Sequence, residues 1–136
     1  MITNIEEFDG TKTIAIDFDG VISEYNGWRG KGVFGPPTPG VLYALTQFKE
    51  TGYIVIVYTC RLEIDLIKEY MEKHNLPYDY INFSPVNIIQ DLHPAKVAAD
   101  VYIDDKGLRF IGSWSLAFIN EVLEFKPWWR ENNDKN

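Results

Sequence analysis

The run Tyr53-Ile54-Val55-Ile56-Val57-Tyr58 is the strongest constraint on how this chain folds. Its apolar character is continuous, with no alternating polar face. That suits a parallel strand covered on both sides. Thr13 to Phe18, rich in Ile, reads as a second buried strand. Tyr78 to Phe83 reads as a third, and Val101-Tyr102-Ile103 as a short buried fourth. Between them, helical spacing recurs. Thr38 and Pro39 suit the cap and first position of a helix that carries Val41, Leu42, Leu45 and Phe48, with Gly52 as its C-cap. Leu62 to Asn75 reads as a second helix through Ile64, Ile67 and Met71. Trp114 to Phe125 reads as a last one through Leu116, Ile119, Val122 and Leu123. Ser84 to Pro94 has two prolines and no clean period, and reads as irregular. This order predicts an α/β fold of the Rossmann-like three-layer α/β/α type, with a central parallel sheet and helices on both faces.

The chain of 136 residues suits a single domain, 1–136, and no internal repeat or linker interrupts it. Its net charge of -7 disfavours nucleic acid and membrane surfaces as partners, since both need a positive field. No stretch is long and apolar enough to span a bilayer. Met1 to Asp9 has acidic residues and no apolar segment of the signal-peptide kind. The single cysteine, Cys60, excludes an intrachain disulfide and fits a cytoplasmic location.

Where the first strand stops, the chain reads Asp17-Phe18-Asp19-Gly20. Residues i and i+2 of a strand face the same side, so both carboxylates point into one small volume. Two like charges that close are costly unless a cation or a shared proton relieves them. Folding has no use for this arrangement, and chemistry does. Thr59 ends the second strand and Asp104-Asp105 ends the last, with Lys96 shortly before it. In open parallel sheets, ligands bind beyond the carboxyl ends of the strands. These polar groups, distant in sequence, therefore converge on one rim.

The ordered set Asp17-x-Asp19, Thr59, Lys96 and Asp104-Asp105 resembles the four motifs of the haloacid-dehalogenase superfamily, specifically its magnesium-dependent phosphatases. The resemblance spans residues 14 to 105. It implies that Asp17 is the nucleophile and Asp19 the general acid and base. It implies that Thr59 and Lys96 hold the phosphoryl oxygens. It also implies that Mg2+ is bound by Asp17, Asp104 and the Asp19 backbone carbonyl, with Asp105 acting through water or by orienting Lys96. Asp19 departs from the dehalogenase branch and from the transport ATPases, which leaves phosphomonoester hydrolysis. Arg61, directly after the second motif, is a candidate substrate-binding residue, with a surface salt bridge as its alternative.

No large cap domain fits this chain. Only the segment from Ser23 to Pro37 separates the first motif from the first helix. It is a flap with turn residues, Asn26-Gly27 as a possible hairpin, and Tyr25, Trp28, Arg29, Lys31 and Phe34. The chain thus resembles small cap-less hydrolases of bacteria and phages. An open site of this kind is expected to be covered by a large substrate, or by the flap and a neighbouring subunit of a homo-oligomer. The expected substrate is a small-molecule phosphate ester. Nucleotides and polynucleotide ends are the alternative, and a receiver-like phosphoacceptor or phosphate-binding module is the alternative of another class. His74 suits a helix end and His93 a loop. Cys60 has no histidine placed to activate it, and Trp128-Trp129 suits packing over a dimer contact.

Overall fold

The computed structural model describes residues 10–130. Segment 1–9, read above as lacking signal-peptide character, lies outside the described residues. Four strands form one sheet: β1 (Thr13–Asp17), β2 (Ile54–Tyr58), β3 (Tyr80–Ile81) and β4 (Val101–Ile103), in the order β3-β2-β1-β4. Every pairing is parallel. Four helices accompany them: α1 (Val41–Glu50), α2 (Ile64–Lys73), α3 (Pro85–Ile89) and α4 (Leu116–Glu124). The architecture is a small Rossmann-like α/β fold without a large cap.

The topology follows from handedness. The crossovers β1-α1-β2 and β2-α2-β3 run in the same direction, so right-handed connections put α1 and α2 on one face. There Ile14, Ile16, Val55 and Val57 pack with Leu45 of α1 and with Ile67, Tyr70 and Met71 of α2. Most of these side chains are almost wholly removed from water. Each such burial stabilises the fold by about 1.5–3 kcal/mol. The chain then reverses and adds β4 on the far side of β1. That reversal sends the connection through α3 over the opposite face, where Ala15 and Ile56 are fully buried as well. It also leaves a crevice where strand order switches, at the ends of β1 and β4.

Register fixes what meets there. Ile16 is opposite Ile103, so the next residues, Asp17 and Asp104, emerge side by side. Asp100 locks this register. Its carboxylate accepts from the Thr13 backbone N–H at 2.8 Å and its own N–H donates to the Thr13 hydroxyl at 3.0 Å.

Several local expectations change. The prolines of Ser84 to Pro94 do not exclude a helix. Ser84 caps α3 by accepting from the Val86 N–H, and Pro85 occupies the first turn, where its missing N–H costs nothing. Thr38 does not cap α1. Gly40, with φ of 84°, stands at that position, and the Thr38 hydroxyl instead donates to the Val21 carbonyl at 2.6 Å. Gly52 lies one position beyond the C-cap Thr51, in the left-handed region. There the N–H groups of Gly52 and Tyr53 close back on Lys49 and Phe48. The third strand is shorter than expected, because Asn82 turns left-handed at φ of 53°. Val101 and Tyr102 are exposed, not buried, since β4 is an edge strand. The apolar residues Leu116, Ile119, Val122 and Leu123 of α4 are exposed too, because that helix does not pack onto the sheet.

Candidate functional site

Beyond the carboxyl ends of β1, β2 and β4 opens a cleft of 1210 Å³. Asp17, Asp19, Thr59, Arg61, Lys96, Asp104 and Asp105 all line it. The convergence expected from the strand ends is therefore present, but the residues divide into two groups.

The first group is acidic. Asp17, Asp104 and Asp105 each offer a carboxylate oxygen, and these oxygens lie within 4.8 Å of one another. Three hard oxygen donors in such a volume suit a hard divalent cation better than a soft metal. Partners differ among the three. Asp104 accepts from the Tyr58 hydroxyl at 2.6 Å and from the Lys106 N–H at 2.7 Å. Asp105 accepts from the Trp129 indole at 2.6 Å. Asp17 accepts from the Phe18 N–H at 2.8 Å.

The proton affinities follow from these surroundings. Burial pushes Asp17 up to about 8, helped by a hydrogen bond shared with Asp105 and by the charges of Asp104 and Asp105. Burial also acts upward on Asp104, but the Tyr58 hydroxyl and the Lys106 N–H outweigh it and hold Asp104 below the usual carboxylate range. Without a cation, the cluster thus relieves its repulsion by keeping a proton on Asp17. Burial and the Asp104 contact push the Tyr58 phenol well up, so it remains a donor.

The second group is built around Arg61. Asp19 turns its carboxylate away from the acidic cluster and into a bidentate pair with Arg61, at 2.7 and 2.9 Å. As a side-chain ligand Asp19 is therefore not one of the three gathered carboxylates. Arg61 is not the free substrate-binding group expected from sequence, nor a surface salt bridge, because its side chain is only 3% exposed. All of its N–H donors are engaged within the protein.

Thr59 sits between the groups. Its hydroxyl accepts from the Arg61 N–H at 3.1 Å. Its backbone N–H and carbonyl are both taken by the Asn82 amide, at 2.8 and 3.1 Å. Lys96 also lines the cleft, with its ammonium 5.3 Å from the centre of the Tyr102 ring. Among the described residues it makes no ion pair with Asp17 or Asp105. Its loop is nevertheless rigidly held. The buried Asn87 amide donates to the carbonyls of His93 and Lys96 and accepts from the Ala98 N–H, all within 3.0 Å. His93 itself accepts from the Ala95 N–H, and serves the turn.

The flap is folded down. Its base pairs through the Glu24 N–H to the Pro36 carbonyl and the Thr38 N–H to the Ile22 carbonyl. This antiparallel base takes the place of a hairpin closed at Asn26-Gly27. Phe34 packs edge-on to Phe18 and Tyr70, with ring centres 5.2 and 5.5 Å apart. Phe18, between the two acids, is thereby fixed from above. The opposite side of the flap meets the C-terminal segment, where Tyr25 packs edge-on to Trp129 at 4.9 Å.

Asn82, Asn87, Trp128 and Trp129 are site residues that sequence reasoning missed. The Trp128 indole donates to the Gly20 carbonyl at 2.8 Å. Single amides and a terminal Trp pair carry no motif. Only Asn82 has even a weak sequence signal, as a polar residue beside a strand end, and that is common.

No family model matches the chain, and neither does any curated protein. Solved structures do. The fold is shared with a conserved protein from Bacteroides thetaiotaomicron. That chain is 25% identical, with a TM-score of 0.58 over 85% of this chain and 91% of its own. A target protein from Vibrio cholerae aligns at 21% identity over 84% of this chain and 98% of its own, with a TM-score of 0.48. Among the described residues, no helix is long and apolar enough to cross a membrane.

Proposed function

We propose that this protein is a Mg2+-dependent phosphomonoester hydrolase of the haloacid-dehalogenase type, working through a phosphorylated Asp17. The observation that carries this reading is the gathering of Asp17, Asp104 and Asp105 at the strand-order switch, with Asp19 two residues beyond. Three carboxylates gathered around an open cleft repel one another, and a bound cation would offset that cost.

The chemistry divides among the side chains. Asp17, Asp104 and Asp105 would hold Mg2+, whose charge offsets repulsion between the carboxylates and a phosphate dianion. An Asp17 oxygen attacks phosphorus while the bond to the leaving oxygen breaks. Asp19, a carboxylate paired with Arg61, would first take a proton from the substrate phosphate or solvent and pass it to that oxygen. Water then attacks phosphorus, returns a proton to Asp19, and frees Asp17 and inorganic phosphate. The Thr59 hydroxyl and the Lys96 ammonium, from residues that line the cleft, would bind phosphoryl oxygens. The cleft suits a small phosphate ester, with a nucleotide or polynucleotide end as the alternative substrate.

Turnover of p-nitrophenyl phosphate is the test. Activity that needs Mg2+ and is lost in Asp17→Asn supports the reading. A stable phosphoprotein without turnover would point to a phosphoacceptor module instead.

A further inference from the structure

Arg61 joins the flap to Asp19. Its Nε and Nη2 grip the Asp19 carboxylate at 2.7 and 2.9 Å. The remaining donors reach the Val33 carbonyl at 3.2 Å, the Gly30 carbonyl at 3.4 Å and Glu63 at 3.3 Å. Glu63 in turn accepts from the Gly32 N–H at 2.9 Å. The guanidinium carbon lies 4.8 Å from the Trp28 ring and 4.7 Å from the Phe34 ring, both in the flap. The tip of the flap is thus built around one buried cation whose bidentate counter-ion is the proposed proton carrier, with Glu63 as a second, longer pair.

We infer that Arg61 is a positioning residue that makes flap closure and Asp19 alignment a single state. Its planar fork fixes the plane of the carboxylate, which a point charge would not. Lifting the flap strips Arg61 of its two carbonyls and both rings. Conversely, removing the Asp19 charge takes away the bidentate partner of Arg61 and leaves the buried cation beneath the flap with Glu63 alone, at 3.3 Å, among its ion pairs in the described residues, which is unfavourable. Coupling of this kind is reciprocal, so each side must respond to a change at the other. The catalytic consequence rests on the proposed role of Asp19, but the coupling does not.

Hydrogen exchange of the full chain, followed by mass spectrometry over residues 24–37, tests it in Asp19→Asn, an isosteric change. Flap exchange should rise about ten-fold or more, with β2 unchanged. Unchanged flap protection would overturn the inference. Tyr70→Phe supplies the catalytic arm. It keeps the ring and removes only the hydrogen bond to the Gly35 carbonyl at 2.8 Å, at the far end of the flap. Flap exchange should rise and kcat fall, each about five-fold, with KM held. A looser flap with kcat intact would also overturn it. Wild-type protein inactive on every phosphate ester would instead count against the proposed activity, and the Asp19→Asn exchange would still decide the coupling.

Discussion

The Trp129 indole N–H donates to the Asp105 carboxylate at 2.6 Å, from a side chain only 5% exposed. A residue near the end of the described chain thereby orients one corner of the acidic cluster. Partners that orient a ligand in this way are commonly worth about 10–100-fold in metal affinity. Trp129→Phe keeps an aromatic ring, though a smaller one, and loses the donor. Its Mg2+ affinity, measured by titration calorimetry, should fall within that range. Wild-type affinity would remove Trp129 from the site.

Gly20 is constrained twice. Its φ of 82° disfavours any other residue, and a Cβ there would lie 2.5 Å from Asp105 Oδ2 and 3.0 Å from Trp129 Nε1. The carboxylate end is the part that must move. Gly20→Ala should therefore displace Asp105 and weaken Mg2+ binding. It should also destabilise the fold by about 1–2 kcal/mol through backbone strain. Denaturant unfolding and metal titration on the same variant check both effects.

The proton on Asp17 sets a pH dependence. Its folded value, about 8, lies above the ordinary 3.8, so the native state holds a proton that the unfolded chain lacks between those values. Metal-free stability is then greatest below the lower value and falls as pH rises towards the upper one. The slope from this group is at most about 1.4 kcal/mol per pH unit. A cation competes with that proton. The rise in Tm on adding Mg2+ should therefore grow with pH up to about 8 and then level off. A rise in Tm independent of pH would contradict the shared-proton picture.

Much of this was legible in the sequence because it depends on short-range pattern. The unbroken apolar run of β2 implies a covered parallel strand, and the acids after β1 and β4 stand where such strands end. The order of motifs brought Asp17, Thr59, Lys96 and Asp104 to one cleft. What escaped depends on partners far away in the chain. Arg61 reads as a candidate substrate ligand until the flap closes over it. Val101 and α4 read as buried because apolar pattern reports what a residue prefers, while exposure depends on which strand lies at the edge. Ser84-Pro85 carried a valid helix start, but the segment is too short to show a clean helical period.

The central claim is that Asp17 is phosphorylated during turnover. Rapid acid quench during hydrolysis of a phosphate ester, followed by peptide mass spectrometry, measures this directly. The account predicts the mass of one phosphoryl group on the peptide containing Asp17, present only with Mg2+ and enriched in Asp19→Asn if water attack is slowed more than formation. Mg2+-dependent turnover with no phosphoryl group on Asp17 at any quench time, in wild type or in Asp19→Asn, would contradict it.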